Sequence, residues 1–405
     1  MASFTRRLAL SSWSHRATLH GLIRKHNEPL DLPMNVWGNN ANAAALATAE
    51  HDRVVPEEYV GHLETVVSRS IPVVSYSSSS PSPDELPFPQ TGGGHHLPPT
   101  EVTLVRDAVV RNWFGYHVVT SGGSVVSEAS SAYWPAIGLG FPEPYDTTSA
   151  GTVPELFLGV DDVDTLNYCH FVCDILPKFS LASDAGSALP VLLDAPRLPY
   201  HHDLLPLAAR RNNAELHSLK PGESLEVERL YFVNRSRARH PIFQCSSWAI
   251  DYVRSLVPVG GEPAPAGSIL YISRERRRVL AEDAVLAGLH ATGLQVTVVG
   301  GMEALTVAEQ ARLFSSHTLV MGPHGAAFTN IVFRAEGPSS LLEVLTRGNG
   351  TPAFALMSAA LQIDHHSIVA TEVTTDHPNY PDLDVDAETL VTYATELAQV
   401  TSHDG

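Results

Sequence analysis

The region from Ser268 to Ala370 alternates short apolar runs with amphipathic stretches, and this alternation restricts the chain to few folds. The apolar runs have the length and the β-branched content of buried strands; they are SILYIS, LQVTVV, TLVMG, SLLEVL and HSIVA. Strands that alternate with helices build a parallel sheet covered on both faces. We therefore predict an α/β fold with a parallel sheet in the C-terminal half.

The stretches between these runs carry signals that begin and end helices. Gly293 stands where the first helix would end, since glycine readily adopts the left-handed conformation found there. Thr306 and Glu309 have the spacing of a capping box. Thr351 and Pro352 are typical of an N-cap and a first helical position. These signals support a strand–helix–strand order throughout the region.

Composition divides the chain into consecutive parts. We interpret residues 1–100 as an irregular arm that ends in an exposed Ser/Pro/Gly-rich linker at 75–100. Residues 101–260 form an N-terminal domain that begins with β-branched strands. Residues 261–375 hold the predicted parallel sheet. Residues 376–405 form a tail helix that packs back on the body through one apolar face, made of Leu390, Ala394 and Leu397.

The chain is strongly acidic, with 26 basic residues, 44 acidic residues and a net charge of −18. Such a charge repels nucleic acid and anionic membranes, so we expect neither as a partner. Basic clusters at 235–239 and 274–278 stand out against this background. They favour a small phosphate-bearing ligand, and a solvated helix face is the alternative for the second cluster.

Cellular context follows from the cysteines and from hydropathy. No apolar run approaches the ~20 residues that cross a bilayer, and residues 1–30 lack a signal-peptide pattern. The 3 cysteines favour reduced thiols over a disulfide framework. We expect a cytoplasmic protein without a membrane span, in which Cys169 and Cys173 serve packing; the oligomeric state stays open.

Ligands of open parallel sheets bind at the carboxyl ends of the strands. Ser273–Arg278, Gly322–Asn330 and Glu343 follow or end predicted strands at this edge. Guanidinium groups match diphosphate bidentately, and amides at a helix start attract phosphate. Arg274 is the strongest candidate because it stands directly after its strand.

Other side chains at this edge have open roles. We expect one of Arg277 and Arg278 to face inward, with Glu282 beside it. His324 suits a donor to a phosphate oxygen better than a base. Glu343 resembles the carboxylates that accept ribose hydroxyls in dinucleotide folds, and a partnered core carboxylate is its alternative.

His170 and Asp174 lie four positions apart in a predicted helix, and therefore on one face. A carboxylate in this position orients an imidazole or raises its basicity. A plain surface ion pair is the alternative interpretation.

The sequence lacks the motifs of several enzyme classes and of zinc ribbons. HExxH, CxxC, GxSxG, GxxxxGK[ST] and GxGxxG do not occur, which argues against metalloproteases, zinc ribbons, serine hydrolases, P-loop enzymes and NAD-dependent oxidoreductases. The pairs His201–His202 and His365–His366 make poor chelating sets because adjacent side chains point apart. Asp162 and Asp164 have DxD spacing, which we interpret as an acidic loop and not as a metal site.

The motifs follow one another as NYCHFVCDILPK, YISRERRRVLAED, LTVAEQARLFSSHTLVMGPHGAAFTNIVF and SLLEV. In this order and spacing the chain resembles glycosyltransferase family 61, also described as a capsular polysaccharide biosynthesis type. The resemblance extends over about residues 100–350. It departs from the family pattern at Ala281, where an Asn commonly precedes the acid, and in the spacing of the arginines.

The resemblance implies a GT-B-like architecture, with two Rossmann-like domains that face a cleft. It implies transfer of a hexosyl or pentosyl group, with inversion, from a nucleotide sugar (often UDP-linked) to a hydroxyl of a glycan or small molecule. The nucleotide sugar is a co-substrate; no cofactor is required and no divalent metal is expected.

Site residues are also implied by matching the motifs. The donor diphosphate would lie at Ser273, Arg274, Arg278, Gly322, His324, Gly325 and Asn330, and the ribose at Glu343. His170 and Asp174 would face the acceptor, with Asp174 as the expected general base. A non-catalytic nucleotide- or sugar-binding protein on the same scaffold is the alternative, and the presence of both residues favours the enzyme.

Overall fold

The computed structural model describes residues 63–69, 75–92, 99–112, 116–126, 129, 147–160, 166–220, 222–234, 246–259, 264–335, 337–348, 351–375 and 381–400. Within these residues the chain is a mixed α/β protein with a 7-stranded and a 5-stranded sheet. The predicted basic cluster at 235–239, the Asp162–Asp164 pair and Cys245 lie outside the described residues.

The strands, in chain order, are β1 (Glu64–Arg69), β2 (Tyr76–Ser77), β3 (Thr91–Gly92), β4 (Thr100–Asn112), β5 (Tyr116–Thr120), β6 (Thr148–Leu158), β7 (Val191–Leu192), β8 (Leu216–His217), β9 (Glu223–Asn234), β10 (Ile269–Ile272), β11 (Val296–Val299), β12 (Leu319–Pro323), β13 (Ser340–Leu345), β14 (Asp364–Val369), β15 (Thr371–Val373) and β16 (Asp382–Asp384).

The α-helices are α1 (Tyr168–His170), α2 (Lys178–Ala185), α3 (Pro199–Asn212), α4 (Ser247–Leu256), α5 (Glu282–Ala291), α6 (Val307–Ser315), α7 (Ala353–Ala360) and α8 (Ala387–Val400). A π-helical turn, Phe171–Ile175, continues α1 directly. Short 3₁₀-helices are formed by Pro83–Glu85, Met302–Ala304 and Ala326–Phe333. No helix among the described residues is long and apolar enough to cross a bilayer.

The 7-stranded sheet has the order β1-β4-β9-β6-β7-β8, with β5 paired to β4. Its strands β9, β6, β7 and β8 are mutually parallel, and α1 to α3 connect the last three of them. Strand β4 runs antiparallel to β1, β5 and β9. This sheet is therefore only partly a parallel, helix-connected sheet.

The 5-stranded sheet is wholly parallel and has the order β11-β10-β12-β13-β14. In order of appearance this is 2-1-3-4-5, the doubly wound arrangement in which the strand order reverses between the first and third strands. The predicted parallel C-terminal sheet is confirmed. The loops that follow β10 and β12 meet at the switch point, which is where such sheets bind ligands.

Both faces of this sheet are covered because its strands are apolar on both sides. Ile269 and Tyr271 pack with Val285 and Leu289 of α5 and with residues of α8. Alternate residues such as Ile272 lie on the opposite face of the sheet, where they pack with side chains that include Phe314 and Phe354. This two-sided burial explains why the strands appear as continuous apolar runs.

Two of the predicted signals mark their helix boundaries, whereas the third lies one residue off, because Pro352, predicted as the first helical residue, is the N-cap of α7. Thr306 caps α6 and forms the predicted capping box with Glu309, and Gly293 adopts φ +77° just after α5. Helix α8 buries Leu390, Ala394 and Leu397, as its pattern indicates. Cys169 and Cys173 are buried free thiols within the core, in agreement with their packing role.

The segment at 75–92 is largely exposed, as its composition suggests, but it is anchored to the body. Tyr76 and Phe88 are buried against Leu345 and Ala355. Ser79 lies beside β14, with its amide 3.0 Å from the His365 carbonyl and its carbonyl 2.8 Å from the Ser367 amide. The prediction of an exposed linker is therefore wrong for these two aromatic side chains, which anchor the segment, whereas most of the polar residues around them are exposed.

Candidate active site

Gly322 allows β12 to lie close to β10 at the switch point. It adopts φ +149°, and a Cβ at this position would lie only 2.6 Å from the carbonyl oxygen of Ile272. A larger residue would therefore separate the two central strands. Gly322 therefore shapes the backbone at this edge of the sheet.

Two arginines of the β10 loop converge on the turn that follows β12. Nη1 of Arg274 donates to the main-chain carbonyl of His324, and Nη1 of Arg277 lies 3.5 Å from the same oxygen. A Cβ at Gly325 would lie 2.0 Å from Nη1 of Arg274. The absent side chain of Gly325 is thus what makes room for the Arg274 guanidinium, and positive charge gathers beside the turn.

Arg278 does not join this cluster. Its side chain is 61% exposed, and its Nε lies 3.0 Å from Oδ2 of Asp382. Arg277 has the left-handed φ of +60°, which turns the chain and directs the two neighbouring side chains differently. Arg278 is the residue that the motifs imply for the diphosphate, but in the structure Arg277 and not Arg278 approaches His324.

Ser273 and Glu282 form a separate contact at the same edge. The Ser273 hydroxyl donates to Oε1 of Glu282 at 2.7 Å, and the Tyr271 hydroxyl lies 3.2 Å from Oε2. Burial and the nearby Glu282 raise the pKa of Tyr271, so its hydroxyl remains a donor. Glu282 therefore fixes Ser273 and Tyr271, whereas we had predicted that it holds an arginine.

His324 is held by a buried carboxylate. Its Nδ1 donates to Oε1 of Glu343, whose second oxygen lies 3.2 Å from Nε2 of His365. Glu343 is 0% exposed, while the imidazole of His324 is 15% exposed. The predicted ribose contact of Glu343 disagrees with this geometry, because both carboxylate oxygens are used and neither reaches the surface.

Charge compensation keeps Glu343 ionised in the interior. Burial by itself would raise its pKa, but the charges and hydrogen bonds of His324 and His365 lower the pKa of this carboxyl to about 2. A buried carboxylate with two imidazole donors is stabilised in its charged form. Glu343 therefore acts as a fixed negative charge behind His324.

Asn330 lies in the 3₁₀-helix that follows the turn, and it is fully buried. Its Nδ2 donates to Oε1 of Gln310 at 2.8 Å and to the Ala327 carbonyl at 3.1 Å. Its Oδ1 accepts from the Tyr168 hydroxyl at 2.6 Å. With both amide hydrogens used, Asn330 has no donor left for a diphosphate, and it joins the turn to helix α1 instead.

The predicted pair His170 and Asp174 is formed. Nδ1 of His170 lies 2.9 Å from Oδ2 of Asp174, and the side chains are 22% and 4% exposed. Asp174 belongs to the π-helical turn, and such turns are frequent at functional sites. The Asn167 side chain begins the helix by accepting from the Cys169 amide at 3.0 Å.

Sequence reasoning overlooked some residues of this region. Lys178 is buried, and its Nζ lies 3.0 Å from the carbonyl of Gly159 at the end of β6. Its spacing of four residues from Asp174 continues the same helical periodicity, which was a usable signal. No comparable signal marked Tyr168 or His365, because their partners are distant in sequence.

The adjacent histidines point apart, as predicted. His365 contacts Glu343 and Ser78, whereas Nδ1 of His366 lies 3.0 Å from the Tyr393 hydroxyl. On the other pair, Nδ1 of His201 accepts from the Arg197 amide at 3.1 Å. Each ring is therefore oriented by its own surroundings.

Comparison with solved structures gives only distant likenesses. A diflavin flavoprotein A3 from Nostoc sp. is 17% identical, over 36% of this chain and 97% of that chain, with a TM-score of 0.25. The flavodiiron protein from Giardia intestinalis is 10% identical, over 50% of this chain and 49% of that chain, with a TM-score of 0.24. The present chain thus spans about half the length of the flavodiiron protein.

Comparison by sequence is more informative. No functionally curated protein matches the chain significantly. Residues 168–341, however, match the family model described as Glycosyltransferase 61. The match contains the His170–Asp174 pair, Arg274, Arg277 and the His324 turn, and it supports the resemblance of this part of the chain to glycosyltransferase family 61.

Proposed function

We propose that this glycosyltransferase moves a hexosyl or pentosyl group from a UDP-linked sugar to a hydroxyl of a glycan or small-molecule acceptor, with inversion at the anomeric carbon. The observation that carries the proposal is the convergence of Arg274 and Arg277 on the His324 turn, at the switch point of the parallel sheet. The match of residues 168–341 to family 61 supports the reaction class.

The donor diphosphate would bind between the arginines and the turn after β12. Each guanidinium keeps its charge and offers several donors in a fixed plane, which suits a diphosphate. Negative charge grows on the diphosphate as the glycosidic bond breaks. Fixed donors that already point at this position stabilise the transition state more than the ground state.

On the acceptor side, we assign the general base to His170, with Asp174 as its orienting carboxylate. Asp174 was the earlier preference, but its side chain is only 4% exposed while His170 is 22% exposed. An imidazole whose Nδ1 is held by a carboxylate is a suitable acceptor for the proton of a sugar hydroxyl. The two sides would meet in a GT-B-like arrangement, which the contact between Tyr168 and Asn330 supports.

Donor binding is tested by calorimetric titration of the wild-type chain with UDP, GDP and TDP, with and without Mg²⁺. We expect micromolar UDP binding that R274A weakens at least ~10-fold, since a lost charged contact costs about 1.5–3 kcal/mol. The exposed Arg312 on α6 provides the control R312A, which should bind like the wild type. Absence of binding by every nucleoside diphosphate to folded protein would contradict the donor site.

Transfer is tested next, by screening UDP-sugars and reading the anomeric configuration of the product by NMR. H170A should lower kcat by about 10²–10⁴-fold with little change in UDP affinity, because a general base acts only in the chemical step. UDP binding by the wild type without transfer to any tested acceptor would favour the non-catalytic alternative. Retention at the anomeric carbon would contradict the proposed single displacement.

A further inference from the structure

We infer that Glu343 is a positioning residue that presents His324 to the leaving diphosphate, with His365 and Ser78 holding Glu343 in turn. The inference rests on the proposed function and replaces the ribose contact expected for this carboxylate. It concerns a hydrogen-bonded network of side chains that extends from His324 at the switch point to Ser78 in the segment at 75–92.

The geometry begins at His324. Its Nδ1 donates to Glu343, its amide donates to the Val344 carbonyl at 2.8 Å, and its ring lies 5.5 Å from the ring of Phe354. These contacts fix both the backbone and the ring plane. Among the described residues nothing bonds to Nε2, so this is the ring nitrogen that is left to meet a ligand.

A carboxylate at Nδ1 decides how Nε2 behaves. The hydrogen bond made by one ring nitrogen sets the protonation of the other. With Nδ1–H given to Glu343, the Nε2 of a protonated ring is a charged donor whose positive charge is balanced by Glu343. Charge-assisted donors of this kind form the strongest hydrogen bonds to phosphate oxygens.

His365 and Ser78, at the other end of this network, keep Glu343 in place. Nε2 of His365 lies 3.2 Å from Oε2 of Glu343, and Nδ1 of His365 lies 2.9 Å from the Ser78 hydroxyl. Ser78 also lies 3.1 Å from the Ser367 hydroxyl. Every member beyond His324 is buried, so the network has the rigidity that a positioning role needs.

The chemical step balances without a proton from this network. The anomeric carbon loses its bond to the diphosphate oxygen and forms a bond to the acceptor oxygen, whose proton goes to the base. The electron pair of the broken bond stays on the diphosphate. His324 gives up no proton in this step and, with Nε2 protonated, donates a hydrogen bond to a β-phosphate oxygen.

A double-mutant cycle tests this role. Affinities for UDP and UMP are measured by calorimetry for wild type, H324Q, E343Q and H324Q/E343Q, together with 2′-deoxy-UDP and 3′-deoxy-UDP. H365Q is added, with H366Q as its control, since His366 lies next to it on the opposite side of β14 and contacts Tyr393.

If Glu343 acts through His324, E343Q lowers the preference for UDP over UMP about fivefold or more, and has no further effect in the H324Q background. The loss of affinity on replacing UDP by 2′-deoxy-UDP or 3′-deoxy-UDP is then the same in wild type and E343Q. H365Q lowers the preference in the same direction, while H366Q leaves it unchanged. A deoxyribose penalty that disappears in E343Q would instead restore the ribose contact and overturn the inference.

A second measurement needs no change to the buried carboxylate, in case E343Q does not fold. The ¹⁵N shifts of the His324 ring, assigned by the signals lost in H324Q, should show proton occupancy at Nδ1 in the unliganded wild type at alkaline pH. An Nε2–H ring would overturn the inference. If no nucleoside diphosphate binds, the proposed function fails, and these shifts alone decide whether Glu343 positions His324.

Discussion

At the residue scale, Gly325 shows how a missing side chain makes room for the Arg274 guanidinium. The Arg274 guanidinium occupies the place where any other residue would carry its Cβ, at 2.0 Å in the case of Nη1. The backbone of Gly325 is extended, with φ 170°, so any residue can adopt its conformation. The constraint on this position therefore comes from the arginine and not from the turn itself.

We predict that G325A displaces the Arg274 side chain and weakens UDP binding at least ~10-fold, the loss expected for a charged hydrogen bond. The fold should persist, since the side chain that must move is long and partly exposed. G300A is the control, because a Cβ there would lie 3.8 Å from the Cβ of Ser273, an ordinary contact. Calorimetry and thermal melting measure the two effects, and unchanged UDP affinity in G325A would contradict the prediction.

His366 links stability to pH. Burial lowers its pKa to about 4; Asp364 acts in the opposite direction, and His365 acts in the same direction as burial. An unfolded histidine titrates near pH 6.5. Between about pH 6.5 and 4 the unfolded chain therefore binds a proton that the folded chain excludes, so this contribution to stability is complete above pH 6.5 and decreases as the pH falls.

We expect the free energy of unfolding in urea to fall by up to about 2 kcal/mol between pH 7 and pH 5 because of this group alone. H366Q removes the titration and keeps an acceptor for the Tyr393 hydroxyl. The difference between wild type and H366Q should therefore shrink as the pH falls. A difference that is constant over this range would show that His366 does not carry the effect.

At the scale of elements, α1 and the 3₁₀-helix Ala326–Phe333 are joined by the buried contact between Tyr168 and Asn330. Burial raises the pKa of Tyr168, so its hydroxyl stays a donor to Oδ1 at 2.6 Å. Asn330 is in turn held by Gln310 of α6. The helix that carries His170 is thereby fixed relative to the turn that carries His324.

Y168F should cost about 1–2 kcal/mol of folding free energy, since it leaves the buried Asn330 oxygen without its donor. It should also lower kcat, because it loosens the helix that carries His170 against the turn that carries His324. Y252F is the matched control, because the Tyr252 hydroxyl of α4 also donates over 2.6 Å to an asparagine oxygen, Oδ1 of Asn212 in α3. Urea unfolding should give similar losses for both variants, and an equal loss of kcat in both would contradict the coupling.

Elements were predictable where their signals are local. The strands of the parallel sheet, the capping box at Thr306 and the pair His170–Asp174 all depend on residues within one element, whose periodicity places them on known faces. Glu343 lies on β13 and His324 directly follows β12, and their contact depends on the register that pairs Gly322 with Glu343. Tyr76 and Phe88 were overlooked for a related reason, since serine and proline dominate the composition around them.

At the scale of the whole molecule, one apolar core continues from the 7-stranded sheet to the 5-stranded sheet. Phe157 of β6 and Phe314 of α6 are both fully buried and belong to the same cluster of contacting side chains. The Asp203 side chain of α3 also accepts from the Val307 amide at the start of α6, at 2.9 Å. The two sheets thus share much of their stabilising interior.

We expect a single cooperative unfolding transition in scanning calorimetry. F157A and F314A should both lower the temperature of that one transition, because each removes about 3–5 kcal/mol of packing from the shared core. Two separable transitions, each sensitive to only one substitution, would show that the sheets unfold independently.

The pairing of Ser79 with β14 has a consequence for behaviour in concentrated solution. An outer strand of a sheet offers unpaired amides and carbonyls to any other extended chain, and such contacts lead to aggregation. Ser79 occupies the His365 carbonyl and the Ser367 amide at the middle of this strand, and Tyr76 and Phe88 hold it there. The same few residues therefore block the edge of β14 and disfavour edge-to-edge association between copies of this chain.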